Sequence, residues 1–211
     1  MDCYHCKQDI SGNPEFCPAC GKILPVPEGR SHYQVLGYDR VIMNLDSADL
    51  ERRFFHLSKK FHPDRFAGKT PVELQFSHDH SSAINNAYRT LKNPVTRARF
   101  LVERELGSIV EKSSSVPADT ADLFFEMHDT LDVIRESNGN PPQDAVNQVK
   151  AAEADLRRKA TVLEEDLQRS FPVYDEQGGK DLVEAMKEKL SHRSYILSFL
   201  RQIDSALGRD L

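Results

Sequence analysis

Two groups of residues in this chain could do chemistry. Cys3, Cys6, Cys17 and Cys20, its only cysteines, form two C-x-x-C pairs separated by ten residues. Four thiolates at this spacing can close a tetrahedral metal site, and structural zinc is the expected occupant, with rubredoxin-like iron as the alternative. Gly21, just after the second pair, can take the left-handed turn that aims backbone N–H groups at a coordinated sulfur. A redox dithiol or two disulfides compete with this reading. Both are weakened because no βαβ pattern surrounds the pairs and no secretory leader is expected ahead of them. His5 is expected to be a bystander, since four sulfurs already fill the shell. The second group is His62-Pro63-Asp64. Its proline stiffens a turn and leaves an imidazole and a carboxylate exposed to hydrogen-bond a partner. As a catalytic His–Asp pair it lacks a nucleophile, and the intervening proline limits convergence of the side chains. No enzymatic activity is expected.

The elements that position these groups are helical. Leu24-Pro25-Val26-Pro27-Glu28-Gly29 reads as a linker between the cysteine module and the rest. Tyr33, Val35 and Leu36 make a short apolar turn ended by Gly37. Asp46 or Ser47 then caps a helix in which Leu50, Phe54, Leu57 and Phe61 recur at helical spacing. Its other face carries Arg52, Arg53, His56, Lys59 and Lys60. The helix must stop near His62, because Pro63 disfavours helical angles at the residue before it. Thr70-Pro71-Val72-Glu73 is a capping box that opens a helix to about Leu91, with Ile84, Ala87, Tyr88 and Leu91 on one face. A short helix follows from Asn93-Pro94, and the serine run 113–115 marks a boundary. Three further helical patterns span 119–136, 143–171 and 180–207, with breaks at 138–142 and 177–179.

Composition narrows the class. A hydrophobic content of 39% against 29% charged residues suits small helical modules with wide solvated faces better than one deep core. The formal net charge of −5 argues against a general nucleic-acid binder. A zinc-ribbon nucleic-acid module is further disfavoured because only Lys7, Lys22 and Arg30 are basic in or beside it. No apolar run is long enough to span a membrane, so a cytoplasmic protein without membrane or nucleic-acid partners is expected.

A helix, a His-Pro-Asp loop and a second helix together resemble the J domain. Phe61-His62-Pro63-Asp64-Arg65-Phe66, Ile84-Asn85-Asn86-Ala87-Tyr88-Arg89-Thr90-Leu91 and Pro94 with Arg97-Ala98-Arg99-Phe100-Leu101 resemble the HscB-type branch, the co-chaperones of iron–sulfur cluster assembly. The resemblance implies a mainly α protein. Together with the zinc-ribbon-like module read from the cysteine spacing (1–28), the expected architecture is a J domain with an antiparallel helix pair (29–106) and a C-terminal three-helix bundle (113–211). It further implies that His62, Pro63 and Asp64 stimulate a DnaK/HscA-type ATPase chaperone, with Arg52, Arg53, Lys59 and Lys60 steering docking. The bundle would hold an IscU-type iron–sulfur scaffold protein. A general folding co-chaperone with another client is the alternative.

Helical geometry offers a place for that scaffold contact. On the last helix Leu182, Met186, Ile196, Leu200, Ile203 and Leu207 share one face, and Tyr195 and Phe199 fall outside it. On the helix near 125, Leu123, Met127 and Ile134 form one stripe, while Phe124, Phe125, His128 and Asp132 project elsewhere. Aligned with the family's pattern, Phe124 and Phe125 are the large apolar contacts, Asp129, Asp132 and Glu136 the acidic ones, and Tyr195 a further aromatic one. His128 replaces an apolar position there. A one-residue shift of register would use Leu123, Phe124 and Met127 instead, leaving Asp129 at a packing position, which is costly for a carboxylate.

Overall fold

The computed structural model describes residues 2–12, 14–107, 118–137 and 139–209. The serine run at 113–115 and Asn138 lie outside the described residues. Helices dominate: seven α-helices among the described residues, with no strand beyond two isolated antiparallel bridges, Asp2–Asp9 and Phe16–Ile23. The chain divides into two compact units, residues 1–97 and 98–211.

In the first unit, α1 (His32–Val35) starts from a Ser31 capping box with Gln34. Helix α2 (Ser47–Phe61) is capped by Asp46, whose side chain accepts from the Ala48 N–H. It ends at His62, whose extended ψ is what the following proline demands. A 3-10 turn over Pro63–Phe66 leads to α3 (Pro71–Lys92), opened by the expected Thr70–Glu73 capping box. Helices α2 and α3 run antiparallel: Phe54 stacks on Tyr88, and Phe61 on His80. Tyr33, Leu36, Met43, Leu50, Phe61, Ile84, Ala87 and Leu91 are buried between them and α1, while Phe54 and Leu57 are half-buried. The buried face of α3 also continues toward its start through Glu73, Ser77 and His80, a polar extension that the apolar periodicity did not reveal.

The expected linker is packed structure. Leu24 is buried, and its carbonyl accepts from His80 Nε2 at 2.9 Å. The cysteine module therefore belongs to the first unit and is not tethered beside it.

Helix α4 (Pro94–Leu106) carries the chain into the second unit, where Ala98, Leu101 and Val102 are buried. There α5 (Ala118–Glu136), α6 (Gln143–Gln177) and α7 (Lys180–Ala206) form a three-helix bundle with every pair in contact. Helix α6 runs past the expected end at Phe171 and through Pro172 to Gly178, whose φ is positive. Proline removes the hydrogen bond to the carbonyl of Gln168. Both residues are exposed, so that carbonyl lies on the solvent side of the helix, while Leu167 and Phe171 remain in the core. Phe199 corrects the sequence expectation: it is 1% exposed and central to the core with Leu131, Ile134, Leu156, Ile196 and Ile203. Helix α7 packs on both α5 and α6, so its buried stripe is wider than the single face that periodicity assigns.

Candidate functional site

The cysteine module is two matching knuckles. In the first, Cys3 N–H donates to the Gln8 carbonyl and Lys7 N–H to the Cys3 carbonyl. In the second, Cys17 N–H donates to the Lys22 carbonyl and Gly21 N–H to the Cys17 carbonyl. The turn residue has positive φ in both, Lys7 at 61° and Gly21 at 68°. Glycine takes this conformation freely, whereas Lys7 takes it at a cost of about 1–2 kcal/mol. The knuckles bring all four sulfurs within 4.8 Å of one another, with Cys3–Cys20 at 3.8 Å and Cys6–Cys17 at 3.7 Å. A tetrahedron with zinc–sulfur bonds of about 2.3 Å has sulfur–sulfur edges of about 3.8 Å, so the cluster has the dimensions of a single-metal site. Backbone N–H of Cys6 favours the Cys3 thiolate against burial and, with that of His5, holds the thiol down at about 6. Lys22 N–H favours the Cys20 thiolate, yet burial and the other three sulfurs push it up to about 12. Four sulfurs this close do not all ionise alone; with a divalent cation held among them they can. His5 is exposed and outside the sulfur cluster.

At the His-Pro-Asp turn, His62 Nδ1 accepts from the Asp64 N–H at 3.3 Å and lies 3.4 Å from Asp64 Oδ2. With Nδ1 turned onto Asp64, the Nε2 edge of the exposed ring is the one left to face a partner. The His62 side chain is 56% exposed and that of Asp64 89%. Arg65 Nη1 donates back to the Lys59 carbonyl, and Phe66 is buried beneath the turn. Proline leaves the end of α2 without its normal ladder, and the orphaned Phe61 carbonyl is satisfied by Ser77 Oγ at 2.8 Å and Ser81 Oγ at 3.0 Å.

The basic face of α2 divides by partner. Arg53 donates to Asp49 at 2.8 Å and to the Gly37 carbonyl, and its guanidinium lies 4.2 Å from the Tyr38 ring centre. Lys60 is paired with Glu15 of the cysteine module at 2.6 Å. These two are engaged in holding the unit together. Arg52, His56 and Lys59 are exposed, though Arg52 also bonds Asp49. Phe55, 63% exposed and one helical turn from both Arg52 and Lys59, places an apolar group on this face; motif reading passed over it because it lies off the core stripe.

In the second unit Phe124 joins α5 to α7. Its ring centre lies 4.7 Å from Phe199, 5.9 Å from Tyr195, 6.1 Å from Phe125 and 6.3 Å from His128. Phe124 and Tyr195 are half-buried, while Phe125 is 72% exposed. His128 Nδ1 sits 3.3 Å from Asp132, which also accepts from Arg135 at 2.8 Å, so the charge of Asp132 is partly answered within α5. Asp129 is exposed. Phe125, Asp129, Asp132 and Glu136 follow one another at spacings of four, three and four and form one stripe of α5. No helix among the described residues is long and apolar enough to cross a membrane.

Known proteins share this architecture. The DnaJ domain family matches residues 31–100. The iron–sulfur cluster co-chaperone protein HscB of Mus musculus is 26% identical over 186 residues, covering 88% of this chain and 76% of the relative. The co-chaperone protein HscB of Proteus mirabilis is 31% identical over 130 residues, covering 61% of this chain and 72% of the relative. The crystal structure of human co-chaperone protein HscB superposes with a TM-score of 0.71 at 21% identity, covering 97% of this chain and 98% of that one. A J domain with its His-Pro-Asp turn exposed, followed by a three-helix bundle and matched along its length by these relatives, makes the chain a member of the HscB family of J-domain co-chaperones.

Proposed function

We propose that this chain is a non-enzymatic adaptor that stimulates the ATPase of a DnaK/HscA-type chaperone and delivers to it an IscU-type scaffold during iron–sulfur cluster assembly or transfer. The carrying observation is the turn at His62-Pro63-Asp64, supported from below by Phe66, Ser77 and Ser81 while its imidazole and carboxylate stay exposed. Nothing in that arrangement performs bond chemistry on a substrate. It presents a donor and an acceptor in fixed relation, which is what a surface that orders another protein's catalytic groups requires. Arg52, Lys59 and His56 supply exposed basic character beside the turn for an acidic chaperone surface.

The aromatic cluster on α5 and α7 supports the cargo half. Phe125 is a large ring without a core to fill, beside the carboxylates of Asp129 and Asp132. This apolar centre with a charged rim fits a protein partner better than solvent. Zinc is the proposed occupant of the four-cysteine site, bound structurally with no open position. The protein is proposed to act in the cytoplasm, without nucleic-acid or membrane partners.

The test is His62→Gln in the full chain. Expected is loss of most of the stimulation of the cognate chaperone's ATPase, with circular dichroism and scaffold affinity unchanged. Undiminished stimulation by this variant overturns the assignment.

A further inference from the structure

The cysteine module reaches both ends of the His-Pro-Asp turn. On the entry side, Phe16 stacks on Phe61 at 5.5 Å and 14°. Phe61 also stacks on His80 at 4.2 Å and 10°, and His80 donates to the Leu24 carbonyl that closes the module. Lys60 bonds Glu15 and lies 5.2 Å from the ring centres of both Phe16 and Phe61. On the exit side, Lys22 bonds both carboxylate oxygens of Glu73, at 3.0 and 3.1 Å. The same carboxylate accepts from Thr70 N–H and Oγ at the start of α3. The segment 62–69 is thus bracketed by two anchors, each with one partner in the cysteine module.

The module cannot hold those anchors by its own packing. Its own core cluster is Cys3, Ile10, Cys17 and Leu24, so two of the four members of that cluster are candidate metal ligands. A module this small without a larger apolar core depends on the metal for its fold. We infer that the cysteine module is a metal-dependent brace of the His-Pro-Asp turn, with Glu15, Phe16, Lys22 and Leu24 as its positioning residues. Loss of the metal would release the turn without altering any residue in it. A turn ordered only part of the time lowers apparent affinity for a partner by the fraction ordered. That last consequence rests on the chaperone reading above; the structural one does not.

Hydrogen exchange of the full chain tests the brace directly, comparing zinc-loaded protein with protein stripped by a chelator. Stripping should raise amide exchange across 62–70 by about tenfold or more, where Arg65, Ala67 and Lys69 donate to turn carbonyls, and leave 84–92 and α5–α7 at their original rates. Phe16→Ala, which keeps all four ligands, should retain zinc and raise the same exchange by at least about threefold, with Phe16→Leu falling nearer the parent. In an ATPase titration Phe16→Ala should raise the half-saturating concentration by a similar factor with maximal stimulation retained. If stripping also accelerates 84–92, the whole unit has opened and the Phe16→Ala comparison decides. Unchanged exchange over 62–70 in Phe16→Ala with zinc bound overturns the brace. A parent protein that stimulates no DnaK-type chaperone overturns the functional reading and leaves the exchange result standing.

Discussion

Replacing Lys22 by methionine removes one half of an ion pair whose other half has nowhere to go. The Glu73 side chain is 5% exposed and that of Lys22 29%. Stripping one partner from a fully buried pair costs about 3–5 kcal/mol, because the remaining charge is left desolvated. Two features reduce that here. Lys22 is already partly hydrated, and Glu73 keeps hydrogen bonds from Thr70 N–H and Oγ at 3.2 and 3.0 Å. The expected loss for Lys22→Met is therefore about 1.5–3 kcal/mol at neutral pH. Burial opposes ionisation of Glu73, but Lys22 and Thr70 outweigh it and hold the carboxyl below its usual range. A depressed carboxyl contributes stability above its unfolded value and loses it as pH falls through the folded one. In Lys22→Met the part of that depression due to Lys22 is gone and only the Thr70 bonds oppose burial, so the gap between variant and parent should narrow below about pH 4.5. Adding Glu73→Gln removes the stranded charge, and the double variant should recover about 1–2 kcal/mol relative to the sum of the single losses. Urea unfolding read by hydrogen exchange of α3 peptides measures all four corners of the cycle, with zinc content checked in each. A Lys22→Met protein within about 0.5 kcal/mol of the parent, or strict additivity in the cycle, would refute the argument that this pair is desolvated and coupled.

Three other outcomes separate residues that share a surface. Phe125→Ala should change stability by less than about 0.5 kcal/mol yet weaken scaffold binding by roughly tenfold or more, whereas Phe124→Ala should itself cost about 2–3 kcal/mol of stability because that ring packs on Phe199. Calorimetry beside a scaffold titration distinguishes the two, and an unaffected affinity in Phe125→Ala removes it from the interface. Lys59→Ala should leave unfolding unchanged but slow chaperone association most at low salt, while Arg53→Ala should lower stability by about 1–2 kcal/mol through its lost bonds to Asp49 and the Gly37 carbonyl. Stopped-flow at two ionic strengths with parallel melts reads both. Burial holds His80 below its ordinary 6.5, against the Leu24 carbonyl, Glu15 and Asp79, which favour the imidazolium, and with Arg30, which opposes it. The unfolded chain then takes the proton first, so stability is fully present above about pH 6.5 and declines as pH falls toward the folded value. His80→Gln should flatten that decline in melts between pH 7 and 5.5, leaving the part due to His32, which burial also holds low. An unchanged slope would show that His80 does not carry it.

What could be read beforehand depended on whether the signal was local. The Thr70–Glu73 capping box, the stop at His62 and the Gly21 turn are each dictated within four residues, and the structure has all three. Each C-x-x-C pair is equally local, and the four-cysteine cluster was legible from the repetition of that pair after ten intervening residues. Phe199 was misplaced because periodicity assumes one buried face, and α7 has two neighbours. The packed state of 24–27 was missed because two prolines signal a break in regular structure and say nothing of burial. The support of the turn was hidden in Glu73, Ser77, His80 and Ser81, polar residues at helical spacing whose burial depends on what packs against them.

The pairing of Lys60 with Glu15 bears on how a partner would read α2. On sequence alone four cations line the helix before the turn. In the folded unit, Lys60 is neutralised by the cysteine module and Arg53 is committed to Asp49 and a loop carbonyl. The charge left exposed is therefore that of Lys59 and of Arg52, which stays 70% exposed although it too bonds Asp49, on either side of Phe55. At short range a compact pair of cations around an apolar ring selects partners by shape more than an extended basic stripe does, because desolvating the ring rewards only a matching apolar contact. The cysteine module, by drawing Lys60 away, thus helps define which face of α2 is left to be recognised as well as how firmly the turn beside it is held.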